Sequence, residues 1–429
     1  MHTRSHSSAN PVRFSALARI GVAAVALLIG ACQAPAAPSS SAPPVAIASP
    51  GPSNPNPSVP APSADPSSGP VATPRPTPTP TWSKPITVKG LAGCHAVVAA
   101  VDEGGRQHLA ATCGTEPSGI RYAVSIDGRT WTTTPLEAPA GRHERDPQLA
   151  FSGDTIYLAY TRLAPADGGC GDDGLDDLGV WYRTRSLPGG DWSEPAKIGA
   201  TADHLQAFRV HGGTVHATVA NEKSNETAYV VVDGTSTNRY KLANATGWTS
   251  LRVGDDGKGR IAYESATGIG YGMVEGSQFV GTTIANEANA QDPVLTLAPG
   301  NAAYLLWTET FSGGGCAEPD PLPSFGTYFA TNVSGSWVAS RLTRLVGGAS
   351  MTIDPATGEL HVLVGDYRRT VYFHRAAGAT KWLSETISRD HPSSAVIRQD
   401  PTTGALVAVF VADLDPEHSR FEVQVMVRR

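Results

Sequence analysis

The sequence predicts an all-β fold built from repeated four-stranded sheets and carried behind a disordered linker. Three observations point that way. After residue 81 helical periodicity is nearly absent, and short Val-, Tyr-, Thr- and Ala-rich runs alternate with Gly, Asp, Asn and Pro turns, the pattern of short strands. The runs recur in units of about 40 to 60 residues, a period that belongs to repeat architectures. The stretch TWSKPITVKG, beginning at Thr81, matches DWSEPAKIGA at Asp191, so the folded part opens with what reads as the closing piece of a unit.

The N-terminus comes first in order. Arg4, Arg13 and Arg19 precede the apolar run IGVAAVALLIGA, too short to span a bilayer stably and of the length of a signal-peptide core. The run ends in Ile29-Gly30-Ala31-Cys32, which resembles a bacterial lipobox: an aliphatic residue, two small ones, then the cysteine that takes the lipid. Residues 1–31 are expected to be a lipoprotein signal peptide, with Cys32 lipidated and the membrane a partner through that anchor. The protein would then be extracytoplasmic. An ordinary signal peptide with a cysteine nearby is the plainer alternative.

From Gln33 to Thr81 there are 49 residues, 16 of them Pro and none aromatic. Such a segment buries too little apolar surface to offset the entropy of ordering. Residues 32–81 are therefore expected to be a tether, reaching ~150 Å at about 3.1 Å per residue. The formal net charge is −6, and losing the leader's arginines makes it more negative. No basic patch is visible, which argues against a nucleic-acid partner.

Each aligned unit has an inner run, a turn, a second run, a variable loop, a third run bearing Tyr or Trp, a turn, and a fourth run opened by an aromatic. Clear copies are DPQLAFSGDTIYLAYTR with GVWYRTRSLPGGDWSEPAKIG, DPVLTLAPGNAAYLLWTET with GTYFATNVSGSWVASRLT, and SMTIDPATGELHVLVGD with TVYFHRAAGATKWLSETIS. Weaker copies start near Cys94, Leu205 and Ser250. Trp131, Trp192, Tyr240, Phe279, Trp337 and Trp382 open the fourth runs. A seventh unit, SSAVIRQDPTTGALVAVFVAD with FEVQVMVRR, lacks its fourth run, and residues 82–88 supply one. Residues 82–429 are thus expected to form a seven-bladed β-propeller, closed by an N-terminal strand that removes the exposed sheet edge. A six-bladed ring with an extra sheet is the alternative, blades three and four being the weakest units.

The turn Ser125-Ile126-Asp127-Gly128-Arg129-Thr130-Trp131 resembles the Asp-box (BNR repeat) of sialidases and related propellers, usually S-x-D-x-G-x-T-W, with one residue deleted. Asp and Ser side chains hold the N–H groups of a tight turn, Gly permits it, and Trp packs between sheets. Other units keep only the Gly and Trp, as in GGDW and SGSW. The box is a folding device rather than a catalytic site. For an enzyme of the sialidase family the resemblance implies three arginines on a substrate carboxylate, an acid/base Asp, and a Tyr nucleophile activated by Glu. The F/Y-R-I-P motif that carries the first arginine is missing here.

In a propeller, the loops between second and third strands share a face with the connections between blades, and ligands bind there over the channel. LAPADGGCGDDGLDDL in blade two and FSGGGCAEPDPLPSF in blade five fall on that face. Cys94 and Cys113 flank a hairpin and are expected to pair across it. Cys170 and Cys316 are expected to join the two long loops, with cross-pairing or free thiols as the other outcomes. Asp167, Asp172, Asp173, Asp176 and Asp177 suggest calcium, but their spacing fits no EF-hand loop and a solvated acidic loop is favoured. Neither a metal nor a cofactor is expected.

The ligand-contact candidates are Arg142, Arg145 and Asp146 at the entry to blade two and Arg162 at the end of its second strand. His204, Asp292, Asp366, Arg368 and His391 hold comparable positions elsewhere, accompanied by His95, Glu309 and Asp390. Asp292 also reads as an Asp-Pro strand start held by a turn bond, and the histidines as polar channel lining. Two functions lead. One is a monomeric, surface-anchored lipoprotein that binds a glycan or protein ligand on its loop face without turnover, favoured because no recognisable catalytic set is present. The other is a divergent exo-sialidase or other glycoside hydrolase, with carboxylates such as Asp146 and Asp292 paired ~5–10 Å apart. A periplasmic assembly scaffold is a third.

Overall fold

The computed structural model describes residues 80–429 except 115–117, 166–174, 222, 311–323, 367, 390–391 and 415–419. The expected signal peptide, Cys32, the expected tether up to residue 79, the Cys170–Cys316 pair, His391 and Asp390 lie outside the described residues. Thr81, placed in the tether by its composition, instead exchanges main-chain bonds with Arg429 and belongs to the folded unit. The chain divides into two units at Thr79/Pro80, and only the second is considered.

This unit is a seven-bladed β-propeller: seven four-stranded antiparallel sheets, each strand paired with the next in sequence. Six blades are continuous, spanning 94–136, 143–198, 203–241, 245–285, 290–343 and 349–388. The seventh takes three strands from the C-terminus and its outermost from Ile86–Thr87, which pairs with Val425 and Gln424. Trp82 adds a bridge to Arg428, and the Val88 N–H donates to the Val423 carbonyl at 2.9 Å. The weak units, three and four, are complete sheets, so the six-bladed alternative does not hold.

The described residues form seven apolar clusters, one in each gap between adjacent blades. The gap between blades six and seven, for example, is filled by Leu363 and Tyr372 from one side and Ile397, Ala408 and Phe410 from the other. Period-2 alternation supplies both faces of every sheet, which is why the second strands read as continuous hydrophobic runs. Four of the fourth-strand aromatics act as wedges that lean edge-on against a third-strand ring of the preceding blade, whereas Tyr240 and Phe279 pack on Tyr229 and Tyr263 of their own blades. Trp192 meets Tyr122 at 5.2 Å, Trp337 meets Tyr271 at 5.1 Å, Trp382 meets Phe329 at 5.3 Å, and Trp82 meets Tyr372 at 5.2 Å. Trp82 recurs in the sequence because it fills the same kind of gap as the others.

Cys94 and Cys113 are directly opposed in blade one and form a disulfide. In the turn before Trp131, the Asp127 carboxylate accepts the N–H groups of Arg129 and Thr130 at 2.7 Å each, and Ser125 Oγ accepts that of Gly128. These bonds hold the Asp127 carboxyl at about 2, well below the usual range. The blade-two loop is shorter than its composition suggests. Pairing continues through Pro165 and resumes at Leu175, so Leu163, Asp176 and Asp177 are strand residues. Main-chain bonding there overrides the turn-forming side chains.

Candidate functional site at the channel mouth

The inner strands all start at one face of the ring, the mouth, and most begin with a bulge. Register shifts interrupt the inner strand between His95 and Val97, Arg145 and Gln148, Leu205 and Ala207, and Gln291 and Val294. Ala96, Asp146 and Asp292 occupy the bulges of blades one, two and five with φ of 49°, 56° and 53°. Bulges bend a strand and re-aim its side chains. Asp-Pro here marks a left-handed bulge residue rather than a turn-bonded strand start.

The bulges of blades two, three and five are each held by the preceding blade. The Asp146 N–H donates to Thr112 Oγ1 at 3.2 Å, and the Leu205 N–H to Thr161 Oγ1 at 2.9 Å. The Asp292 N–H donates instead to the Glu264 carboxylate at 2.7 Å. Thr112, Thr161, Glu264 and Thr308 stand at the same place in their second strands, as the aligned segments HLAAT, YLAYT, RIAYE and YLLWT show. Blade four thus carries an acid where blades one, two and five carry a hydroxyl and blade three carries Ala220.

These anchors set out an arc of polar and aromatic groups from blade two to blade five. His204 lies between two carboxylates, its Nε2 3.5 Å from Asp146 and its Nδ1 3.5 Å from Asp177. Its ring approaches that of Trp248 edge-on, with centroids 6.4 Å apart. Glu264 follows, also accepting the Trp248 main-chain N–H, and then Asp292, whose carboxylate accepts from Thr308 Oγ1 at 3.4 Å. Burial pushes the Glu264 carboxyl up to about 7, and the neighbouring Asp292 charge adds to the effect. Burial raises Asp292 as well. By surface area Asp292 stays exposed, because it opens onto the mouth while the blades crowd it from the sides. His95, at the blade-one end, is lowered by burial and then by the Arg145 charge.

The other candidates are placed differently. Arg145 is half-buried and its Nε donates to Ser118 Oγ at 3.1 Å. Arg142, half-buried beside it, is held by its N–H to the Pro139 carbonyl. Arg162 is buried: it donates to Glu144 at 2.7 and 3.2 Å and lies 4.5 Å from the Trp181 ring centre. Asp366 closes its own turn by accepting the N–H groups of Arg368 and Arg369, and Arg368 is exposed. The structure therefore brings Asp146, His204 and Asp292 into one arc and leaves Arg162, Asp366 and Arg368 outside it. Trp248 and Glu264 escaped the sequence reading. The signal for Glu264 was the acid at a Thr position of the repeat. Among the described residues no group of three His, Cys, Asp or Glu side chains is arranged to hold a metal ion.

No family model and no curated protein matches the chain. Among solved structures, a protein of unknown function from Dyadobacter fermentans is similar over 82% of this chain and 100% of its own, at 12% identity and a TM-score of 0.50. Hydrazine synthase of Kuenenia stuttgartiensis is similar over 72% of this chain and 91% of its own, at 12% identity and a TM-score of 0.50. A sialidase of Trypanosoma rangeli is similar at 14% identity and a TM-score of 0.46, over 79% of this chain and 55% of its own. The chain thus spans about half of that sialidase. At such identities the likeness is one of fold, and the class it defines is the β-propeller.

Proposed function

We propose that the channel mouth binds a carbohydrate, and that the propeller is presented at the cell surface by a lipid on Cys32. The observation that carries the binding reading is the unbroken arc His204–Trp248–Glu264–Asp292. A half-buried indole flanked by carboxylates and an imidazole offers an apolar face for a sugar ring and acceptors for its hydroxyls. Binding without turnover is preferred because the arginines nearest the mouth serve the protein itself, Arg162 with Glu144 and Arg145 with Ser118. The test is a glycan array probed with the full-length protein, followed by calorimetry on the hits. Trp248→Ala is expected to weaken binding about ten-fold or more. No binding, or binding indifferent to both Trp248→Ala and Glu264→Gln, overturns the reading.

One observation favours a second reading, glycoside hydrolysis. A carboxyl held near 7 beside a second raised carboxyl is what a proton donor at neutral pH requires. Release of chromophore from aryl glycosides by the wild type, abolished in Glu264→Gln, would establish turnover.

A further inference from the structure

Beyond the mouth, register places three arginines at one level of the channel. Arg209, Arg252 and Arg398 come from the inner strands of blades three, four and seven. Register fixes their common level, since they face His216, Arg260 and Val407, matching positions of the three second strands. The other four blades put Ala100, Ala150, Thr296 and Thr352 there. The ring is therefore three cations among small or neutral side chains.

Each guanidinium folds back on the channel-lining main chain. Arg209 donates to the Phe208 carbonyl at 2.5 Å, Arg252 to that of Leu251 at 3.0 Å, and Arg398 to that of Ile397 at 2.7 Å. Arg398 also donates to the Ala99 carbonyl at 2.9 Å and to Ser350 Oγ at 3.4 Å, so it spans from blade six to blade one. Among the described residues none of the three forms an ion pair, whereas Arg162, Arg239 and Arg260 all do. The next level toward the mouth offers only neutral polar groups, Gln148, Ser250 and Ser350. Burial pushes Arg209 down to about 9, and the charge of Arg398, from a non-adjacent blade, adds to that; Arg398 itself falls to about 10. A guanidinium keeps its proton in proteins, so such shifts register positive charge without a counter-ion.

We propose that this ring binds a small tetrahedral oxyanion, phosphate or sulfate, inside the channel. The forked donors suit its oxygens, and its charge offsets the repulsion among the arginines. It would tie blades three, four and seven together from within, independently of what the mouth binds.

The test uses the full-length protein, dialysed against chloride and titrated calorimetrically with phosphate at constant ionic strength. Crystals soaked in selenate provide a second readout through selenium anomalous scattering. A saturable isotherm is expected, weakened about ten-fold or more in Arg252→Gln and in Arg209→Gln, with selenium located between the three side chains. The two variants are separate, so a folding defect in one leaves the other informative, and the soak needs neither. Absence of saturable binding in the wild type, an isotherm unchanged in both variants, or selenium found only elsewhere would each refute the proposal.

Discussion

Glu264 of blade four accepts the main-chain N–H of Asp292 of blade five at 2.7 Å, while its other oxygen lies against Gly247. This contact joins the fourth and fifth blades at the mouth, fixes the Asp292 bulge, and places two carboxyls with raised pKa side by side.

Glu264→Gln keeps an acceptor for the Asp292 N–H and removes the ionisation. With a folded pKa of about 7 and an unfolded value of 4.5, the native state binds the extra proton between those limits. The group therefore favours folding at low pH and loses that contribution as pH rises toward 7. Thermal denaturation across pH 4.5–7.5 should show the variant gaining relative to wild type as pH rises. An unchanged difference across that range would mean Glu264 titrates normally.

Gly247→Ala tests the close approach. A methyl group there would sit 1.8 Å from the Glu264 carboxylate, so the acid must leave its place. Loss of ligand binding is expected, with destabilisation of about 1–3 kcal/mol. Gly189→Ala, where nothing lies within 4 Å, should stay within about 0.5 kcal/mol of wild type by urea denaturation.

Buried histidines give the opposite pH response. His216 bonds the Tyr229 hydroxyl, and His361 bonds that of Tyr372 at 2.8 Å, each inside its own blade. Burial pushes both down to about 4 from 6.5. They contribute fully above 6.5, and that contribution is lost as pH falls toward 4, on the order of 3 kcal/mol for each. His216→Gln and His361→Gln should each flatten the fall in melting temperature between pH 6.5 and 4.

Trp82→Ala removes the wedge between blades six and seven and its Nε1 bond to Glu385 at 3.1 Å. A loss of about 2–3 kcal/mol is expected for this half-buried ring, less for Trp82→Phe. If the two variants proved equally stable to urea as wild type, the N-terminal strand would not be closing the ring.

Much of this was legible in the sequence, for reasons that differ by residue. Trp82 could be read because a wedge must recur wherever two sheets meet, and recurrence survives divergence of everything around it. Cys94 and Cys113 could be read because a tight hairpin fixes who faces whom. Asp146 and Asp292 were found as a matched pair, but the left-handed bulge beneath them leaves no mark distinct from a turn. Glu264 and Trp248 sit in a weak unit whose alignment was loose. Arg209, Arg252 and Arg398 are scattered over about 190 positions and share a level only because of strand register.

The folded unit also has its two ends in one place. The Thr81 N–H donates to the Arg429 carbonyl at 3.1 Å, and Thr81, Trp82, Asp127, Arg129 and Arg429 line one shallow hollow. Since outer and third strands run antiparallel, that hollow lies on the side of the ring away from Trp248 and Asp292. Immobilising the protein on a sensor chip through Arg429 therefore turns that side of the ring to the support and leaves Trp248 and Asp292 facing the solution.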